Sequence, residues 1–87
     1  MEYLLFTFPN CPNCEKLKEV LAEESFEVEE FNLTVKEGIK KIREFLPVVK
    51  RDKKGGIIIP TLVIREENRA EVVNSPEEFQ DWLKSRG

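Results

Sequence analysis

The sequence predicts an α/β protein built on a mixed four-stranded sheet with helices on both faces, in the order β-α-β-α-β-β-α. Three observations carry that expectation. A short aromatic and aliphatic run opens the chain, two segments of helical periodicity follow with a weaker strand between them, and a late apolar stretch turns back on itself before a third helical segment. Eighty-seven residues suffice for one core and not for two, so a single domain spanning 1–87 is expected.

Tyr3 to Phe8 is aromatic and aliphatic apart from Thr7, the pattern of a strand buried on both faces. Pro9 and Asn10 break it, and Cys11-Pro12-Asn13-Cys14 opens a helix. Cys14, Leu17, Val20 and Leu21 fall on one side of that helix; Glu15, Lys16, Lys18 and Glu19 fall on the other. Pro12 suits its first position, where a missing N–H costs nothing, and Cys11 becomes the N-cap. Phe26 to Leu33 reads as a second, weaker strand, with Phe26 and Val28 on one face and Phe31 and Leu33 on the other.

Thr34 with Glu37 three residues later predicts a capping box for a second helix, whose apolar stripe is Ile39, Ile42 and Leu46. Pro47 should end or kink it. Lys50 to Gly56 is a charged loop, and Pro60 places the next strand at Thr61 to Arg65, because proline cannot donate to a central ladder. Glu66 to Asn68 turn the chain, and Ala70 to Val73 return as an edge strand. Ser75-Pro76-Glu77-Glu78 combines an N-cap serine, proline at the first helical position and glutamate at the third. Phe79, Trp82 and Leu83 form the apolar face of the closing helix, and Tyr3, like Phe79 and Trp82, is read as structural.

The function class follows from what the composition excludes and what the cysteines require. Charged residues of both signs make up 36% of the chain and the net charge is −3, which argues against general nucleic-acid binding. No apolar stretch reaches the roughly 20 residues of a membrane helix. Tyr3 to Phe8 is too short for a signal core, and Glu2 stands where such a signal carries positive charge, so a cytoplasmic protein is expected. Only two cysteines are present, two residues apart. A disulfide between them closes a tiny loop and constrains the unfolded chain very little, so redox chemistry or metal binding must explain the pair.

A thiolate, not a thiol, attacks a disulfide. At a helix N-terminus, unsatisfied N–H groups and the positive end of the helix dipole stabilise that anion, which should bring Cys11 below the roughly 8.5 of a free cysteine. Cys14, one turn later, is less exposed but within reach. Cys11 is therefore the expected nucleophile and Cys14 the resolving thiol. The rival reading pools two such pairs in a dimer as a four-cysteine zinc or iron–sulfur site, since one chain has no histidine to complete a shell.

Strand, Cys11-Pro12-Asn13-Cys14 opening a helix, and a later Ile59-Pro60-Thr61 resemble glutaredoxins and related redoxins over nearly the whole chain. The resemblance implies a minimal thioredoxin fold and thiol–disulfide oxidoreductase activity toward protein disulfides. It implies a cis Pro60 against the cysteine pair, with Pro12, Asn13, Ile59 and Pro60 as substrate-contacting positions. It implies no bound cofactor and a monomer, recharged by glutathione or by a flavoprotein reductase, and an electron donor to ribonucleotide reductase as one role. The chain also departs from the families it resembles. Thioredoxins carry Trp-Cys-Gly-Pro-Cys, and donors to ribonucleotide reductase end in a Trp-Ser-Gly-Phe-like run that is absent here. Glutathione-using glutaredoxins place an aromatic residue where Asn13 stands. They also have a Gly-Gly pair and an acidic residue where this chain has Val73-Asn74-Ser75-Pro76-Glu77-Glu78, so tight glutathione binding is not expected. The basic stretch Lys50, Arg51, Lys53 and Lys54 reads as a solvated loop, or else as an attractive surface for an acidic partner or for glutathione carboxylates.

Overall fold

A computed structural model describes residues 1–86. Its elements are β1 (Glu2–Thr7), α1 (Pro12–Glu23), β2 (Glu29–Asn32), α2 (Lys36–Arg43), β3 (Thr61–Glu66), β4 (Arg69–Val73) and α3 (Pro76–Arg86). The sheet runs β2-β1-β3-β4, with β1 and β2 parallel and the other neighbours antiparallel. This is the expected order and the expected mixed sheet.

Period-two alternation sorts each central strand between two cores. Leu5, Leu62 and Ile64 meet Leu17 and Leu21 of α1 and Phe79 of α3 on one face. Leu4, Phe6 and Val63 meet Ile42, Phe45 and Val49 on the other. Each of these side chains contributes roughly 1.5–3 kcal/mol by leaving water. Tyr3, Phe26, Phe79 and Trp82 form an aromatic group on the first face, with Tyr3 edge-on to Phe26 at 4.9 Å and Phe26 edge-on to Phe79 at 5.3 Å. The structural reading of these residues holds.

The second strand is shorter than the apolar pattern suggests. The end of α1 consumes the backbone of Phe26, whose N–H donates to the Leu21 carbonyl while that of Ser25 donates to Ala22. Ser25 is left-handed, with φ 61°, and the apolar contact of Phe26 and Leu21 completes a helix-stop motif. Strand pairing therefore starts only at Glu29, opposite Leu4. Phe26 and Val28 still pack with one core, and Phe31 and Leu33 with the other.

The capping box on α2 is not formed. Val35 is the N-cap and makes no side-chain cap bond. Thr34 is held instead by Asn32, whose Oδ1 accepts from the Thr34 N–H at 2.8 Å and from its hydroxyl at 2.7 Å. This local Asx turn competes with the cap for the same short polar side chain. The helix also stops at Arg43, before Leu46 and Pro47; continued as far as Pro47, it would drive the proline ring against the Arg43 carbonyl. Glu44 and Phe45 close the last turn with tighter bonds to Lys41 and Ile42. Of the predicted stripe, Ile42 is buried and Leu46 packs beside it, whereas Ile39 is exposed. Phe45 and Val49, outside the predicted pattern, complete that core.

One glycine sets how closely α2 approaches the sheet. A Cβ on Gly38 would lie 2.1 Å from the Asn32 carbonyl oxygen, a backbone atom of β2. Glycine inside a helix costs about 0.5–1 kcal/mol relative to alanine, so its presence here reflects this approach. Gly38→Ala should destabilise the fold by about 1–3 kcal/mol, read as a lower urea midpoint. An unchanged or raised midpoint would contradict the close packing.

Candidate functional site

The site is built where β1 ends. Leu33 donates its N–H to the Thr7 carbonyl, the last tie to the sheet before Phe8 and Pro9 leave it. Asn10 then adopts a left-handed φ of 56°, a conformation asparagine tolerates better than most residues. That reversal delivers Cys11 in extended geometry, φ −110° and ψ 103°, as the N-cap of α1, with Pro12 opening the helix. The Cys11 carbonyl accepts the first helical bond, from Glu15 at 3.1 Å.

Cys11 and Cys14 are joined by a disulfide, with their Cα atoms 5.2 Å apart. The Cys14 N–H donates to Cys11 Sγ at 3.2 Å, the bond that a serine or aspartate N-cap makes with its oxygen. The two cysteines differ in access: Cys11 is half-buried, while Cys14 is fully enclosed in the α1 face. Pro12 and Asn13 are exposed between them. Among the described residues no group of three or more His, Cys, Asp and Glu is placed to hold a metal ion.

The Ile59–Pro60 bond is cis, as the resemblance implies. Phe6 pairs with Thr61, which sets Pro60 and Cys11 at the same end of the sheet. Pro60 is buried and Ile59 half-buried. Two shallow clefts, one between Glu44–Val48 and the β3–β4 turn and one around Met1–Tyr3, lie away from Cys11. Neither cleft is lined by Cys11, Cys14 or Pro60, which share a rim of the sheet.

Sequence reasoning missed the residue that holds this rim together. Asn74, buried at the β4–α3 corner, donates through Nδ2 to the carbonyls of Ile58 at 3.1 Å and Pro60 at 3.0 Å, and to Thr61 Oγ1 at 3.1 Å. The Thr61 hydroxyl in turn donates to the Ile58 carbonyl. An asparagine before Ser-Pro reads as an ordinary turn residue, and nothing local signals its reach across the sheet end. The helix start beside it is already occupied by the chain's own groups. Ser75 Oγ accepts from the Glu78 N–H at 3.1 Å, as predicted, and Glu78 Oε1 takes the Asn74 N–H at 3.4 Å and Lys50 Nζ at 2.8 Å.

A second polar group ties α1 to the sheet one turn below Cys14. Thr7 Oγ1 donates to Glu30 Oε2 at 2.9 Å, and Lys18 Nζ reaches the same oxygen at 2.8 Å and Glu15 at 3.3 Å. The Glu30 bond holds Lys18 above the ordinary lysine value. Burial pushes Glu30 up, but the bonds from Lys18 and Thr7 outweigh it and leave the carboxyl below its usual range. A lowered carboxylate stabilises the fold above the usual glutamate range and loses that contribution as pH falls through its own lowered value.

Asn74→Ala removes the donor shared by three acceptors in a buried corner, so it should cost about 1–3 kcal/mol in urea unfolding. It should also speed hydrogen exchange around Pro60 more than in α2. A midpoint equal to that of the unsubstituted protein would show that water replaces the amide without loss.

Comparison with known proteins agrees with this geometry. The sequence profile described as Glutaredoxin matches residues 4–68. A search of the curated proteins finds no match. Among solved structures, the chain is similar to a point mutant of the thioredoxin-like protein BC3987, at 24% identity and a TM-score of 0.66, over 94% of this chain and 99% of that one. It is similar to BC3987 itself at 24% identity and a TM-score of 0.64, over 92% and 97% of the two chains. At that identity the likeness speaks to fold alone, and the fold is thioredoxin-like. The matched profile covers the β1–α1 junction with both cysteines and the cis-proline segment, and the chain belongs to the glutaredoxin family.

Proposed function

We propose that the protein is a dithiol redoxin that reduces protein disulfides through Cys11 and Cys14. The observation that carries this reading is the placement of Cys11 as the N-cap of α1, its sulfur facing the Cys14 N–H. Negative charge on that sulfur meets a backbone donor and the positive end of the helix. The enclosed Cys14 cannot meet a bulky substrate first.

In the forward reaction both cysteines start reduced. Cys11 thiolate attacks one sulfur of the substrate disulfide, forming a mixed disulfide and expelling the other substrate sulfur as a thiolate that takes a proton. Cys14 then gives up its proton and attacks Cys11 Sγ. The Cys11–Cys14 disulfide forms, the second substrate thiol leaves, and two electrons have passed to the substrate. Pro12, Asn13, Ile59 and Pro60, which border the pair or share its end of the sheet, are the residues proposed to contact the substrate chain.

A thiol reductant or a flavoprotein reductase must return the two electrons. The occupied start of α3, where Glu78 already binds the Asn74 N–H and Lys50, favours a flavoprotein or protein dithiol over glutathione. Ribonucleotide reductase is one disulfide-bearing partner that this chemistry would serve.

Equilibration in glutathione redox buffers, read by maleimide labelling and intact mass, tests the reading. One reversible two-electron transition is expected, with a midpoint between about −200 and −270 mV. Cys14→Ser should accumulate a mixed disulfide on Cys11, and Cys11→Ser should form none. A pair that stays reduced throughout, or that arrives holding stoichiometric metal, would overturn the proposal.

A further inference from the structure

The charges alternate along much of the chain, yet they sort by region. Residues 35–56 hold eight lysines and arginines against three acidic residues, a local charge of +5; the rest of the chain therefore carries −8. The first thirty-four residues alone hold eight glutamates against two lysines. Segment 35–56 contains α2 and the chain that follows it, anchored by Ile42, Phe45 and Val49 in one core, whereas α1 and α3 cover the opposite side of the sheet.

Within the segment Lys41 and Lys50 are paired, with Glu44 and Glu78. Lys36, Lys40, Arg43, Lys53 and Lys54 are exposed and form no ion pair among the described residues. The loop that presents the last two is a closed turn. Arg51 pairs with Ile57, and Asp52 Oδ1 accepts from the N–H groups of Lys54 and Gly56, each at 2.9 Å. The same region carries apolar surface that the cores leave uncovered: Val35 at 45% exposure and Ile39, one helical turn on, at 41%. Phe8, 46% exposed, stands between the end of β1 and Cys11. The Lys50 carbonyl accepts the Ile58 N–H and Lys50 Nζ reaches Glu78, beside the Asn74–Pro60 corner, so the start of the 50–56 loop lies at the Cys11 end of the sheet.

We infer that α2 and the 50–56 loop form the docking surface for an acidic segment of the disulfide-bearing partner, with Cys11 at its edge. Interleaved apolar and basic side chains match a protein interface, where apolar contacts fill the centre and charges the rim. A nucleic acid would use the lysines but brings no disulfide to Cys11. The −8 carried by the rest of the chain disfavours encounters of an acidic partner away from this segment, so the charge distribution orients the encounter. The partner's disulfide rests on the redoxin reading; the charge selection does not.

The test uses the full chain and two peptides with the same internal disulfide, one flanked by four glutamates and one by four lysines. A small neutral disulfide serves as control. At low salt the acidic peptide should be reduced at least ~10-fold faster than the basic one, and the gap should close near 0.5 M salt, where the Debye length is only about 4 Å. Lys40→Glu/Lys53→Glu/Lys54→Glu should reverse the preference and leave reduction of the neutral disulfide unchanged. Equal rates for both peptides in the unsubstituted protein overturn the inference without any variant.

A disulfide-free acidic peptide, titrated while backbone NMR shifts are followed, separates docking from chemistry. Salt-sensitive shifts at residues 36–43 and 50–56 support the surface even if no disulfide is reduced, in which case the redoxin reading alone falls. Shifts elsewhere, or none, overturn it. An oligonucleotide that moves the same resonances at lower concentration would overturn the assignment to a protein.

Discussion

Everything at the functional end of this protein depends on β1 being buried on both faces. Leu4, Leu5 and Phe6 are essentially inaccessible, two pointing into one core and one into the other, so neither face of the strand can slip without exposing a large side chain. β1 also pairs with β2 on one side and β3 on the other. Its last residues therefore fix two things at once. Thr7 sets where the chain turns toward Cys11, and the pairing of Phe6 with Thr61 sets where the proline segment sits. The placement of Cys11 beside the proline segment is a consequence of strand register.

The asymmetry between the cysteines comes from the same junction. A left-handed Asn10 tips the chain so that Cys11 stands outside the first turn of α1 while Cys14 falls on its core-facing side. One sulfur is half-buried at the helix start and the other is enclosed. The Asn74 amide gives the proline segment a rigid backing that the sheet alone does not provide. The Lys18–Glu30–Thr7 group does the corresponding work for α1, pinning its second turn to the sheet edge.

What was legible in the sequence was whatever depends on nearest neighbours. The helix starts at Pro12 and Pro76 were readable because proline and a capping side chain act within one turn, and the strand at Thr61 was readable because Pro60 forbids an earlier start. Cys11 and Cys14 announced themselves by spacing. Competition between local options was not legible: Asn32 captures Thr34 and displaces the predicted cap, and the stop after α1 takes Phe26 out of the second strand. Contacts between distant segments were still less so. Asn74, Gly38, Phe45 and Val49 acquire their roles only once the sheet brings their partners near. The glutaredoxin resemblance supplied the cis bond at Pro60, which no rule of spacing contains.

If the α1 N-terminus makes Cys11, and not Cys14, the attacking sulfur, the two thiols of the reduced protein differ in reactivity. The most direct measurement treats the reduced protein with limiting iodoacetamide at neutral pH and maps the modified residue by mass over time. The account predicts that Cys11 is alkylated at least ~10-fold faster than Cys14, as expected of an accessible thiolate beside an enclosed thiol. Equal rates, or faster modification of Cys14, would contradict it.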